Sequence, residues 1–157
     1  MAKIKIGGIL KNTELSMIGV MCIPGRPGTA GRITQSLKSA GINIQFIVQL
    51  PDVDGHDHVV FCVAENEAEN ALGLLEDVKQ DIGAQALVQS AQVAIISIFG
   101  PDFRERPGIA GAMFSVLGAH CINIRAISTS ISTLSCVIAA EDLDAAVSAV
   151  GEAFALP

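Results

Sequence analysis

Charge is scarce in this chain, and positive charge is scarcer. Only 17% of the 157 residues are charged, ten Lys and Arg stand against sixteen Asp and Glu, and the net charge is −6. Nucleic-acid binding calls for a basic face to meet phosphates, so this balance speaks against it. No apolar run approaches the roughly 20 residues of a membrane-spanning helix. The start, Met1-Ala2-Lys3-Ile4-Lys5, leads into strand-like alternation and not into a signal-peptide core. No G-x-x-x-x-G-K phosphate cradle occurs. The four cysteines (Cys22, Cys62, Cys121, Cys136) form no C-x-x-C pair. They read as free, mostly buried small hydrophobes, with no disulfide or metal set, which fits a reduced, cytoplasmic setting. No cofactor is implied.

What the chain does have is apolar mass and a repeat. Half of its residues are apolar, enough to bury a core. Arg26-Pro27-Gly28-Thr29-Ala30-Gly31 returns 80 residues later as Arg106-Pro107-Gly108-Ile109-Ala110-Gly111. The register persists: Ile33 with Met113, Leu37 with Leu117, Ile42-Asn43-Ile44 with Ile122-Asn123-Ile124, Ile47 with Ile127, and Cys121 where the first copy has Gly41. Two copies of one small unit are expected.

Residues 3–10 read as a strand weakened by Gly7-Gly8, 11–14 as a polar turn, and 15–23 as a second strand. Pro27 suits the first turn of a helix over 28–40, whose apolar face carries Ala30, Ile33, Leu37 and Ala40 and which Gly41 ends. Strands at 42–50 and 58–64 flank a turn with Asp54-Gly55 at its tip. A helix at 66–80 and a thin strand at 84–90 complete β-α-β-β-α-β. The second copy predicts a strand at 92–99, a loop at 100–107, a helix at 108–119, strands at 122–129 and 134–140, and a helix at 141–154. It lacks a fourth strand, and an unpaired edge is avoided by folds. The N-terminal strand is therefore expected to complete it. One domain then spans 11–91, inserted in another made of 3–10 plus 92–157. Each is an α+β, ferredoxin-like layer of four antiparallel strands with two helices on one face.

The repeated loop joins a strand to a helix start, where unpaired amides and the helix dipole favour an anion and glycines admit it to the backbone. With these residues in view, the chain is similar to a pair of ACT domains, and more closely to the regulatory region of aspartate kinase, also made alone as the β subunit. The match is carried by IKIGGILKNTELSMIGV, IPGRPGTAGRI, GINIQFIVQ, RPGIAG, INIRAISTS and EDLDAAV, essentially the whole chain. The resemblance implies a non-catalytic regulator that binds an amino acid, usually lysine or threonine, between the two domain types. The effector carboxylate would meet Gly28, Thr29 and Ala30, with Gln49 and the strand-start pair Asn123 and Ile124 contributing. It also implies an aspartate kinase catalytic subunit as partner and a homodimer with sheets edge to edge.

One position departs from that pattern. The family commonly places an aspartate before the basic-Pro-Gly, to hold the effector's ammonium; here Gly25 stands there. Losing such a charge-assisted bond costs roughly 1.5–3 kcal/mol, about tenfold to a hundredfold in affinity. The acid has then moved to Glu105, its equivalent in the second copy beside Arg106 and Gly108, or the ligand is different, or it is gone. Glu105 is otherwise a solvated acid paired with Arg104 or Arg106. A chain that has lost its effector would be a dimerisation or interaction module, or a free-standing regulator of another amino-acid pathway or of transcription.

The remaining candidates have plain readings. His56-Asp57-His58 belongs to a wet polar turn and not to a metal site. His120 suits a helix C-terminus. Arg26 and Arg106 either clamp a carboxylate or point outward and bond nothing. The hydroxyls of residues 128–135 have no base and acid around them, and the acids from Glu65 to Asp81 are a solvated helix face. Strands 15–23 and 92–99 are apolar on both faces, for which a homodimer is the simplest cover.

Overall fold

The computed structural model describes residues 2–101 and 103–157; Asp102, in the predicted loop 100–107, lies outside them. In chain order the elements are β1 (Ile4–Lys5), β2 (Gly8–Pro24), α1 (Thr29–Ser39), β3 (Phe46–Pro51), β4 (His56–Ala64), α2 (Ala68–Ile82), β5 (Ala86–Phe99), α3 (Ile109–Ala119), β6 (Ala126–Thr129), β7 (Thr133–Ala139), α4 (Leu143–Ala153) and β8 (Phe154–Ala155). They form two compact units. One is continuous, Glu14–Gln92. The other is split, running to Thr13 and resuming over Val93–Pro157.

In the continuous unit the strand order is β3-β4-β2-β5. β2 and β4 pair antiparallel from Leu15↔Ala64 to Val20↔Val59. Period-two alternation then puts Ile18, Val20, Val59, Phe61 and Val63 in one core with Ile33 and Leu37 of α1 and Ala71, Leu75 and Val78 of α2. Burying each larger aliphatic side chain contributes roughly 1.5–3 kcal/mol. The register then slips, resuming at Ile23↔Asp57, with Cys22 left-handed (φ 55°) at the bulge. The freed Cys22 amide donates to His58 Nδ1 at 3.1 Å. His58 Nε2 therefore carries the proton, and it faces Asp52 Oδ2 at 2.9 Å.

The split unit has the order β2-β5-β7-β6. Its core joins Ile96 and Ile98 to Met113, Leu117, Leu134, Cys136, Ile138, Val150 and Phe154. β1 pairs parallel with β8 (Ile4↔Phe154), a two-residue strand hidden in sequence because it follows directly on α4. Gly7 and Gly8 are small for a reason: a Cβ on either would meet the Phe99 ring at 2.8 Å.

Several boundaries differ from the sequence reading. The expected turn at 11–14 is part of one strand, β2, and the strands expected at 84–90 and 92–99 are one strand, β5. In place of a turn, Glu14 and Gln92 take positive φ (59° and 56°) and the chain runs on. Exposed polar side chains imitated a loop where the backbone stays extended. β3 and β6 start late, at Phe46 and Ala126, because Ile42 and Ile122 still donate to the helix carbonyls of Leu37 and Leu117, each at 3.0 Å. β4 starts early, at His56.

All four cysteines are free, but only Cys62 and Cys136 are buried; Cys22 is half-buried and Cys121 exposed. Burial pushes both buried thiols up to about 12, which leaves them unreactive. Val93, Ile95, Ile96 and Ile98 are already buried within the chain, so no second copy is needed to cover them.

Gly28 (φ 97°) and Gly108 (φ 94°) precede α1 and α3 in a backbone conformation that disfavours a Cβ. Gly28→Ala and Gly108→Ala are each expected to cost about 1–2 kcal/mol in urea unfolding. Cys121 holds the left-handed conformation (φ 56°) that Gly41 holds in the first copy. Cys121→Gly should stabilise by about 0.5–1 kcal/mol, the relieved strain less the added freedom of the unfolded chain. His58 chiefly, then the amides of His56 and Asp54, hold the Asp52 carboxyl below its ordinary 3.8. The stability this adds is fully present above 3.8 and is lost as pH falls through the lower, folded-state value. The melting-temperature gap between wild type and Asp52→Asn should accordingly be open at neutral pH and close in strong acid.

Candidate functional site

Each unit starts its first helix on the same device. Proline sets the approach, glycine turns left-handed, and the helix begins one residue later. The first carbonyl used is that of Gly28 or Gly108, which accepts from Arg32 N at 3.0 Å or Ala112 N at 2.9 Å. The amides before these, Thr29 to Gly31 and Ile109 to Gly111, have no intrahelical acceptor. No side chain caps either helix, and neither first turn holds an acid. The other two helices differ: Glu65, Glu67 and Glu69 open α2, and Glu141, Asp142 and Asp144 open α4. The positive ends of α2 and α4 are compensated from within, whereas those of α1 and α3 have no such compensation.

In the continuous unit, Gly25, Arg26 and Gly28 are exposed, Thr29 is buried and Ala30 half-buried. Gly25 N donates to Gly55 O at 3.1 Å, so the loop is tied to the β3–β4 turn. A Cβ on Gly25 would lie 2.7 Å from that carbonyl oxygen, and Asp57 Oδ2 is 3.9 Å away. An aspartate at this position would collide with backbone, which accounts for the glycine. Arg26 neither clamps nor floats: Nη2 donates to the Asp81 carbonyl at 3.3 Å, at the end of α2. Arg32 reaches the Asp81 carboxylate. Gln49 is exposed on β3, opposite Val59.

In the split unit, Arg106 and Gly108 line a cavity of about 230 Å³ with Phe103, Ile109, Ala110, Thr129, Ser130, Thr133 and Leu134. Glu105, Asn123 and Ile124 are not among its walls. Glu105 is exposed and forms no ion pair with Arg104 or Arg106. Asn123 is exposed and Ile124 half-buried, in the extended segment before β6 and not at a strand start. The hydroxyls of Thr129, Ser130 and Thr133 are the polar wall that sequence reasoning missed. A signal existed, since the 80-residue offset lays Thr129 on Gln49.

The other candidates resolve simply. Asp52 accepts from Asp54 N at 2.8 Å and His56 N at 3.0 Å, so it organises the turn. His120 Nε2 meets Glu152 Oε1 at 2.9 Å. Ser97 and Ser135 hydroxyls bond each other at 2.6 Å. Among the described residues no group of three or more His, Cys, Asp or Glu is placed to hold a metal ion, and no helix is long and apolar enough to cross a membrane.

Comparison with known proteins agrees with this two-unit fold. ACT-domain profiles match residues 16–83 and 96–154, one in each unit. The aspartate kinase of Pseudomonas putida is 34% identical over 151 residues, covering 96% of this chain. The chain spans only 37% of that enzyme's length. The ligand-free regulatory subunit of aspartate kinase from Thermus thermophilus superposes with a TM-score of 0.86 at 31% identity, over 96% of this chain and 99% of that one. A crystal structure of aspartokinase α and β subunits also matches, with TM-score 0.86 and 27% identity over 94% of this chain and 97% of that chain. There is no kinase catalytic domain in the chain. It belongs to the ACT-domain family, as a tandem pair of the aspartate kinase regulatory kind.

Proposed function

We propose that this chain senses an amino acid, lysine or threonine, and transmits its presence to an aspartate kinase catalytic subunit in the cytoplasm. The observation that carries the reading is the start of α1: free amides, a left-handed glycine, no capping side chain and no acid in the first turn. Such a helix start suits a carboxylate. Gly28, Thr29 and Ala30 are the proposed carboxylate contacts. Gln49, Asn123 and Ile124 belong to the same proposal. Ligand binding can regulate only if it favours one of two arrangements of the protein, so its leverage is its difference in affinity between them.

The competing reading is an interaction module without an effector, and Gly25 is the observation that favours it. Calorimetric and thermal-shift titration against the twenty amino acids separates the two. A selective ligand at a hundred times its dissociation constant should add about 2.7 kcal/mol of stability. Silence from all twenty would leave the interaction module standing.

A homodimer is part of the proposal. Ile47 on β3 and Ile127 on β6, equivalent by the repeat, are 41% and 42% exposed on end strands of their sheets. Exposed apolar edges invite pairing, and a lysine blocks it. Sedimentation should show a dimer for wild type and a shift to monomer for Ile47→Lys or Ile127→Lys; a monomeric wild type would remove the dimer from the proposal.

A further inference from the structure

Asp57 is a carboxylate without a partner. Asp52 is engaged with His58 and Asp81 with Arg32, while Asp54, also unpaired, is exposed in the turn. The nearby cations are engaged too, since Arg26 donates to the Asp81 carbonyl and Arg32 to Ser36 as well as Asp81. Among the described residues Asp57 takes part in no ion pair and no side-chain hydrogen bond. It is nevertheless half-buried, and a half-buried carboxylate is stabilised by a cation.

Its position is specific. Asp57 pairs with Ile23 in the β2–β4 register, one step beyond Pro24↔His56, so it flanks the strand end that feeds the Gly25–Gly28 loop. Its Oδ2 lies 3.9 Å from where a Cβ on Gly25 would stand, and the Gly55 carbonyl fills the rest of that space. The backbone therefore excludes an acid at position 25 and places one beside it, on the adjoining strand. The same loop ends in the uncompensated amides of α1. An unpaired negative charge thus lies beside the start of this loop, and an uncapped helix start lies at its end. An α-amino acid has the complementary pair of charges, close together and fixed in sign.

We propose that Asp57 is the ammonium-binding residue of the continuous unit, a specificity determinant that admits a zwitterionic α-amino acid and rejects a simple carboxylate. The assignment rests on the effector reading above and supplies the charge that Gly25 lacks. Glu105 is then not needed for it.

The test is calorimetry on the full chain with L-lysine and L-threonine. It compares wild type, Asp57→Asn, Asp52→Asn and Glu105→Ala, and includes the same two compounds lacking their α-amino groups. Asp57→Asn should weaken the amino acid roughly tenfold to a hundredfold, the value of one charge-assisted bond. Removing the amino group from the ligand should cost wild type a similar factor. The two losses should not add, because both delete the same contact. Wild type binding the desamino compound as tightly as the parent would overturn the assignment even if Asp57→Asn fails to fold. So would an unchanged affinity in Asp57→Asn, or a loss confined to Glu105→Ala. If wild type binds neither amino acid, the effector reading falls, and Asp57's role with it.

Discussion

A helix can begin straight after a strand only if one residue absorbs the change of direction. Here that residue is a glycine at φ near +95°, Gly28 in one unit and Gly108 in the other. Much follows from this constraint. Because the turn is made by backbone alone, no side chain is spent on capping, and the first amides stay open. Because the ring of the proline before it locks φ, the approach is stiff as well as tight. The helix then runs back across the sheet at a set angle of departure, which lets Ile33 and Leu37, or Met113 and Leu117, reach the core. The fold and the uncapped helix starts are two results of one local conformation.

The repeat made most of the fold legible before any coordinate was known. All four helices follow from apolar spacing and the Pro-Gly starts, and the strands β3, β4, β6 and β7 from β-branched runs. What misled was polarity. Lys11 to Glu14 look like a turn, yet strands that show one face to water carry such residues as a matter of course. The start of β3 was misjudged for the opposite reason: Ile42 and Ile44 look like strand, yet Ile42 is still bonded to the helix it follows. Neither error could be removed by propensity alone, because backbone hydrogen bonding decided both, across the sheet for Lys11 to Glu14 and at the helix end for Ile42.

Of the candidate site, the local backbone was legible in the sequence and the contacts were not. Gly28, Thr29 and Ala30 lie where their motif implies, and Arg106 and Gly108 line a cavity. Gly25 was readable only as an absence; its cause, the Gly55 carbonyl, is 30 residues away in sequence. Arg26 was given two readings and took neither, because the end of α2 supplies a carbonyl that no local pattern announces. Contacts across a sheet or between helices are fixed by register and packing. Sequence spacing states which residues are periodic, and it does not state which of them meet.

The split unit has a consequence for how the molecule is made. Lys3 bonds to the Gly151 carbonyl, and Ile4 pairs with Phe154, across almost the full chain. Residues 3–6 cannot make these bonds until residues 151–155 have been synthesised. The continuous unit, Glu14–Gln92, has no such wait, since all its strands are translated together. Contacts so distant in sequence carry a large loop-closure cost and slow folding. An early-folding insert shortens the effective loop by holding residues 14 and 92 at fixed positions. The order of assembly is thereby written into the connectivity: insert first, enclosing unit last, with β1 unpaired in between and in need of protection from stray pairing.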